Sequence, residues 1–81
     1  MRVYVNIYAS LRQYLPDSAE LTREEGWEVA EGTSMDDVLK ELRFPKGLKV
    51  LALVNGSHCR DGSAPLADGD SLLFYPLMSG G

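Results

Sequence analysis

The sequence has few residues of the kinds that carry out chemistry. It has one cysteine and one histidine among 81 residues, which excludes an internal disulfide and a structural zinc site built from these side chains. No apolar run approaches the ~20 residues needed to span a bilayer. Twelve acidic residues against eight basic ones give a net charge of −4, the wrong sign for following a phosphate backbone. We therefore expect one small cytoplasmic domain with no metal ion, membrane or nucleic-acid partner.

The apolar content is that of a folded domain. The chain is 44% hydrophobic and 25% charged, unlike a disordered tail. Four segments have the alternation or the short apolar run typical of β-strands, namely residues 2–9, 27–30, 49–54 and 71–75. Asn55-Gly56 predicts a turn after the third strand, and we expect a short edge strand near Ser57–Arg60. The last strand is apolar on both faces, which predicts a central position in the sheet, and Pro76 should end it.

Helix signals follow the first and second strands. Ser10 and Gln13 have the spacing of a capping box and predict a short helix over Ser10–Leu15. Ser34 and Asp37 have the same spacing, ahead of an amphipathic helix through Leu42.

The boundaries of these helices are predicted from proline. Pro45 should end the second helix, because Phe44 is pushed out of the α region. Pro16 should end the first helix, and the polar segment Asp17–Gly26 reads as a surface loop or a ragged edge strand.

These elements predict an α+β fold, a mixed sheet with one main helix packed on one face. The other face would leave Tyr4, Tyr8, Leu73 and Tyr75 partly open. We expect this aromatic patch to bind partner proteins. The alternative is a second small core, closed by the Asp17–Gly26 segment.

The side chains offer no catalytic constellation. His58 and Cys59 are adjacent, and adjacent strand residues point to opposite faces, so they form a poor nucleophile pair. The glycines do not form a phosphate-binding loop. Asp61, Asp68 and Asp70 lack the spacing of a calcium loop and suit tight turns instead.

The unusual feature is the end of the sequence. We place one folded domain at residues 1–75 and a flexible tail at residues 76–81, which ends in Gly80-Gly81. Glycine gains no burial from packing, so the tail is either frayed or kept slender to enter a narrow channel in another protein. In the second case the Gly81 carboxylate is the group delivered, and it can attack the α-phosphorus of ATP to form an acyl adenylate.

Together with this tail, four stretches resemble the MoaD/ThiS family of ubiquitin-like sulfur carriers. The opening strand resembles the family's first strand and its turn into a helix, and Gly32–Leu39 resembles the start of its main helix. Leu53-Val54-Asn55-Gly56 is similar to the end of its third strand. Leu66–Gly81 resembles its closing segment. Leu77 stands where the molybdopterin branch commonly has a second proline.

The resemblance implies a β-grasp fold and a mechanism. An E1-like enzyme would adenylate Gly81 with its own ATP, the carrier binding no cofactor, and a persulfide donor would convert the adenylate to a thiocarboxylate. Gly80 and Gly81 would thread into the acceptor, and Leu77 and Met78 would join the tyrosine patch in partner binding. Chain length and the Asp17–Gly26 segment resemble the small subunit of molybdopterin synthase, so the acceptor would be the large synthase subunit. The alternatives are thiazole synthase or tRNA thiolation, a ubiquitin-like modifier joined through Gly81, and an adaptor with an inert tail.

Overall fold

The computed structural model describes residues 1–15, 18–45 and 47–77, without the side chains of residues 18 and 19. Its elements are β1 Arg2–Ile7, α1 Ala9–Arg12, α2 Ser18–Leu21, β2 Trp27–Glu28, α3 Met35–Leu42, β3 Val50–Val54, β4 Ser57–His58 and β5 Ser71–Pro76. The strands form one sheet in the order β2-β1-β5-β3-β4. Strands β1 and β5 are parallel, and the other neighbours are antiparallel. The mixed sheet with one main helix is confirmed.

The core lies between the sheet and α3. Alternate residues of β1 and β5 are buried on this side, and Leu72 and Phe74 are fully inaccessible. From α3, Met35, Val38 and Leu42 close the same core. The predicted central position of β5 is confirmed, because β1 and β3 pair with its two edges.

Helix α3 begins as the sequence predicts. The Asp37 N–H donates to the Ser34 hydroxyl at 3.3 Å, and the Asp37 carboxylate accepts from the Ser34 N–H at 3.0 Å, so the capping box is complete. The bond from the Ser34 N–H, together with a second one from the Ser34 hydroxyl to the same carboxylate at 3.1 Å, holds the pKa of Asp37 below its ordinary value. The predicted stop at Pro45 is reached earlier, because Arg43 turns left-handed at φ 56° and its N–H closes on the Leu39 carbonyl.

The predicted cap of α1 is wrong. The helix begins at Ala9, and its N-cap is Tyr8, which makes no side-chain capping bond. The Tyr8 N–H donates to the Phe74 carbonyl at 2.8 Å, so the sheet ladder continues through Tyr8 and the chain bends there. Ser10 is then already helical, and its carbonyl accepts from the Gln13 side chain at 2.9 Å.

The segment that we expected to be a loop or an edge strand contains α2. The Leu21 side chain packs against the core, and its carbonyl accepts a hydrogen bond from the Trp27 indole at 2.6 Å. Gly26 follows with φ +74°, and a Cβ there would lie 2.6 Å from the Val3 carbonyl oxygen. The chain can therefore turn tightly into β2, which has two residues where the sequence predicts four. Pro16 and Asp17 lie outside the described residues.

The β3–β4 hairpin forms as the sequence predicts, whereas β5 ends one residue later than predicted. Asn55 and Gly56 both have positive φ, 50° and 86°, as a two-residue hairpin turn of type I′ requires. The short edge strand β4 is confirmed. Strand β5 includes Pro76, one residue more than predicted, because Pro76 pairs with Val50 and the Leu77 N–H still bonds to the Lys49 carbonyl at 3.1 Å.

Among the described residues no helix is long and apolar enough to cross a membrane.

Candidate functional site

The sheet face away from α3 carries an apolar surface. Residues that alternate with the core-facing ones in β1, β5 and β3 lie on it. The strand register places Leu51 beside Tyr75 and Leu53 beside Leu73, and Tyr4 lies on the neighbouring strand beside Ser71. We call this surface the open face and define it by Tyr4, Leu51, Leu53, Leu73, Tyr75 and Leu77.

The predicted patch residues come together here. Tyr4 is 38% exposed and Leu77 is 46% exposed. Leu73 and Tyr75 are half-buried by their neighbours. Tyr8, 57% exposed, follows directly after β1. Met78 lies outside the described residues.

Sequence reasoning missed two members of the open face. Leu51 pairs with Tyr75, and Leu53 pairs with Leu73, so both lie beside the predicted residues. Their place on this face follows from the alternation of side chains along a strand, in which every second residue shares a face. It was hidden because β3 is apolar at every position, so neither face stood out.

The alternative of a second core under the open face does not match the packing. Leu21, from the segment that would have closed that core, packs instead against the core on the α3 side. Gly26 borders the Tyr4 ring, since a Cβ on it would lie 2.9 Å from Tyr4 Cδ1. Tyr4 and Leu77 nevertheless keep more than a third of their surface exposed. The open face is therefore accessible.

The two adjacent residues His58 and Cys59 point away from each other, as predicted. His58 pairs with Leu53 on the open face, and its Nε2 lies 3.0 Å from the Tyr75 hydroxyl with the rings edge to face. Cys59 packs against the core instead, and its N–H donates to the Ala52 carbonyl. A Cys–His nucleophile pair is not formed.

The aspartates near the turns are held by structural hydrogen bonds. Asp61 accepts from the Ser63 hydroxyl at 2.6 Å and from its N–H at 3.0 Å, which lowers the pKa of Asp61. Asp68 accepts from the Arg2 N–H, and Asp70 accepts from the Asn55 amide. Within residues 1–15, 18–45 and 47–77, no three His, Cys, Asp or Glu side chains are grouped so that they could hold a metal ion.

Strand β5 ends beside the start of β3. Pro76 pairs with Val50, and Leu77 makes the last hydrogen bond of the ladder. Gly80 and Gly81, the predicted threading and reacting residues, lie outside the described residues. The apolar open face thus reaches to the point where the tail begins.

A mixed sheet with one main helix across it defines a β-grasp, ubiquitin-like fold. Over 100% of both chains, the protein is similar in structure to SAMP1 from Haloferax volcanii, with a TM-score of 0.66 at 20% sequence identity. The ThiS family model matches residues 5–81. The chain therefore belongs to the ThiS family of ubiquitin-like sulfur carriers. A comparison with curated proteins finds no match.

Proposed function

We propose that this protein carries sulfur as a thiocarboxylate on Gly81 and delivers it to the synthesis of molybdopterin. The observation that carries the proposal is the family match, which runs through the Gly80-Gly81 pair. The family works with E1-like activating enzymes and with acceptor enzymes, and the open face offers such partners a surface next to the start of the tail.

The proposed reaction uses the Gly81 carboxylate and no side chain of the carrier. A carboxylate oxygen attacks the α-phosphorus of ATP, held by the activating enzyme, and pyrophosphate leaves. The terminal sulfur of a donor persulfide then attacks the acyl carbon, and AMP leaves. A thiol cleaves the resulting S–S bond, which frees the thiocarboxylate. Cys59 takes no part, consistent with its packing against the core.

The open face supplies binding in this scheme. Tyr4, Leu73, Tyr75 and Leu77 would bury apolar surface against the activating enzyme and then the acceptor, and Tyr8 and Met78 would add to this contact. Tyrosine is favoured in such interfaces because it joins a large apolar ring to a polar group. Gly80 and Gly81 would pass through a channel too narrow for side chains. The carrier itself would bind no cofactor.

The preference for the molybdopterin pathway rests on the segment between α1 and β2. This excursion, which resembles the small synthase subunit in sequence, contains α2, whose Leu21 carbonyl accepts a hydrogen bond from the Trp27 indole in β2. The acceptor would then be the large subunit of molybdopterin synthase, in the cytoplasm. Thiazole synthesis, tRNA thiolation and conjugation to proteins are the competing outcomes.

Intact-protein mass spectrometry tests the chemistry. After incubation with an activating enzyme, ATP and a persulfide donor, we expect the mass to rise by the difference between sulfur and oxygen, and deletion of Gly81 should abolish the change. Conversion of the precursor by the large synthase subunit should then consume the sulfur. A ladder of high-mass conjugates would support a modifier, and transfer to thiazole synthase alone would contradict the molybdopterin assignment.

Substitution of Tyr75 tests the open face. Tyr75→Ala should weaken binding to both the activating enzyme and the acceptor, because it removes a ring near the centre of the face. Tyr14→Ala is the matched control, since Tyr14 is 45% exposed and lies outside the open face. Unchanged affinity of Tyr75→Ala for both partners, measured by titration calorimetry, would rule out docking through this face.

A further inference from the structure

The side of the molecule away from the open face holds a groove. It lies where α3 ends and β3 begins, on the α3 side of the sheet, and has a volume of about 460 Å³. Four half-buried apolar residues line it, Leu39, Phe44, Leu48 and Val50. Two exposed cations, Lys40 and Arg43, stand beside them. The groove therefore combines an apolar lining with positive charge.

This positive charge is local. Residues 40–49 contain four basic residues and one acidic residue, a formal charge of +3, whereas the other residues of the chain sum to −7. Among the described side chains, Lys40, Arg43 and Lys49 have no salt-bridge partner within 4 Å. Lys40, one turn from Asp37, is the smallest of the causes that lower the pKa of that carboxyl. The cations are thus available to an outside anion.

Arg43 occupies its position at a conformational cost. Its φ of 56° lies in the left-handed region, where glycine is the usual residue at the end of a helix. An arginine in place of glycine costs folding free energy. It nevertheless places a guanidinium, which binds carboxylates in a bidentate manner, at the edge of the groove.

We propose that this groove binds an acidic segment of a partner protein, whose aliphatic side chains enter the apolar lining while its carboxylates pair with Lys40 and Arg43. A nucleic acid or an anionic membrane fits less well. Both are extended polyanions, and the charge of −7 elsewhere on this small chain would repel them. A short acidic peptide places its charge at the basic segment alone.

The groove lies across the sheet from the open face, near the end of β5. Val50 lines the groove and pairs with Pro76, the last residue of β5. Tyr75, the preceding residue, faces the opposite side of the sheet with Leu51. A partner can therefore occupy the groove and the open face at the same time, from the two sides of the strand that leads into the tail.

Nuclear magnetic resonance titration of the isotope-labelled protein tests the proposal. The probe is a short capped peptide of alternating glutamate and leucine, and it should shift the amide signals of residues 39–50 other than Pro45. Peptides that alternate lysine with leucine, or glutamate with serine, serve as controls for charge and for apolar contact. Equal binding of either control, or shifts confined to the open face, would overturn the proposal.

Two variants separate binding from folding. Arg43→Gly relieves the left-handed backbone and should fold at least as stably, yet it should weaken binding of the glutamate–leucine peptide about three- to fivefold, the loss of one exposed ion pair. Lys40→Glu should weaken it further, whereas Arg60→Glu, an exposed cation outside the groove lining, should leave it unchanged. The proposal fails if both groove variants bind like the wild type. It also fails if phosphatidylserine vesicles or oligothymidylate shift residues 39–50 and the peptide does not.

Discussion

Two neighbouring leucines of β5 test whether one face of the sheet forms the core and the other binds partners. Leu72 is fully buried in the core, whereas Leu73 is half-buried on the open face. They share a strand and a residue type, so Leu72→Ala and Leu73→Ala remove the same atoms from opposite sides of the sheet. We expect the first variant to lose stability and the second to lose partner binding.

The magnitudes follow from burial. Leu72→Ala leaves a cavity in the core and should cost about 2–5 kcal/mol of unfolding free energy. A domain of this size has about 4–12 kcal/mol in total, so this variant is severely weakened but foldable in most of that range. Leu73 is already partly exposed to water in the folded protein. Its truncation to alanine should therefore lower the unfolding free energy by only about 1 kcal/mol.

Urea denaturation followed by Trp27 fluorescence measures both values, because Trp27 is the sole tryptophan and packs against the core. The slope of free energy against urea should be the same in the two variants and the wild type. Titration with the activating enzyme under folding conditions should show weakened binding for Leu73→Ala only. Equal losses of stability in the two variants would refute the reasoning, since they would show that the open face is a second core.

Three further substitutions test local features of the fold. Gly26→Ala should destabilise the protein by about 1–3 kcal/mol, because a Cβ meets the Val3 carbonyl and φ is positive; a melting temperature equal to the wild type would contradict this. Arg43→Gly should stabilise it by about 0.5–1 kcal/mol in urea denaturation, since glycine adopts φ 56° freely; a loss would show that the Arg43 side chain supports the fold. Ser34→Ala should cost about 1 kcal/mol near neutral pH. The lowered pKa of Asp37 means that the hydrogen bonds from the Ser34 N–H and hydroxyl to its carboxylate contribute fully above the unfolded value of 3.8, and that this contribution is lost as the pH falls from there through the lowered folded value. Ser34→Ala removes the hydroxyl bond to the Asp37 carboxylate, which depends on pH, and the bond from the Asp37 N–H to the hydroxyl, which does not. The stability gap between wild type and Ser34→Ala should therefore narrow in acid without closing, and a gap that is the same at every pH would exclude this linkage.

Much of the fold could be predicted from the sequence, because local and global signals agree in the longest elements. The capping box of α3 and the Asn55-Gly56 turn are set by residues three positions apart or adjacent. The alternation of β1 fixes which side is buried. These features need no knowledge of distant contacts.

The sequence predictions are wrong where a contact with a residue far along the chain sets the local structure. The start of α1 is set by the hydrogen bond from Tyr8 to Phe74, far along the chain. Helix α2 depends on Leu21 reaching the core and on the Trp27 indole, and a polar segment gives no local sign of either. On the open face, the tyrosines were visible by alternation, but Leu51 and Leu53 were not, because both faces of β3 are apolar.

The parallel pairing of β1 with β5 has a consequence for synthesis of the chain. Residue 4 lies beside residue 71, so the centre of the sheet joins its first strand to its last. Such non-local contacts slow folding. A growing chain on the ribosome cannot complete the sheet until residue 76 has emerged, and a fragment that lacks β5 leaves β1 and β3 with open edges, which favours aggregation or proteolysis. Acquisition of the native fold therefore depends on translation through the strand that leads into Gly80-Gly81.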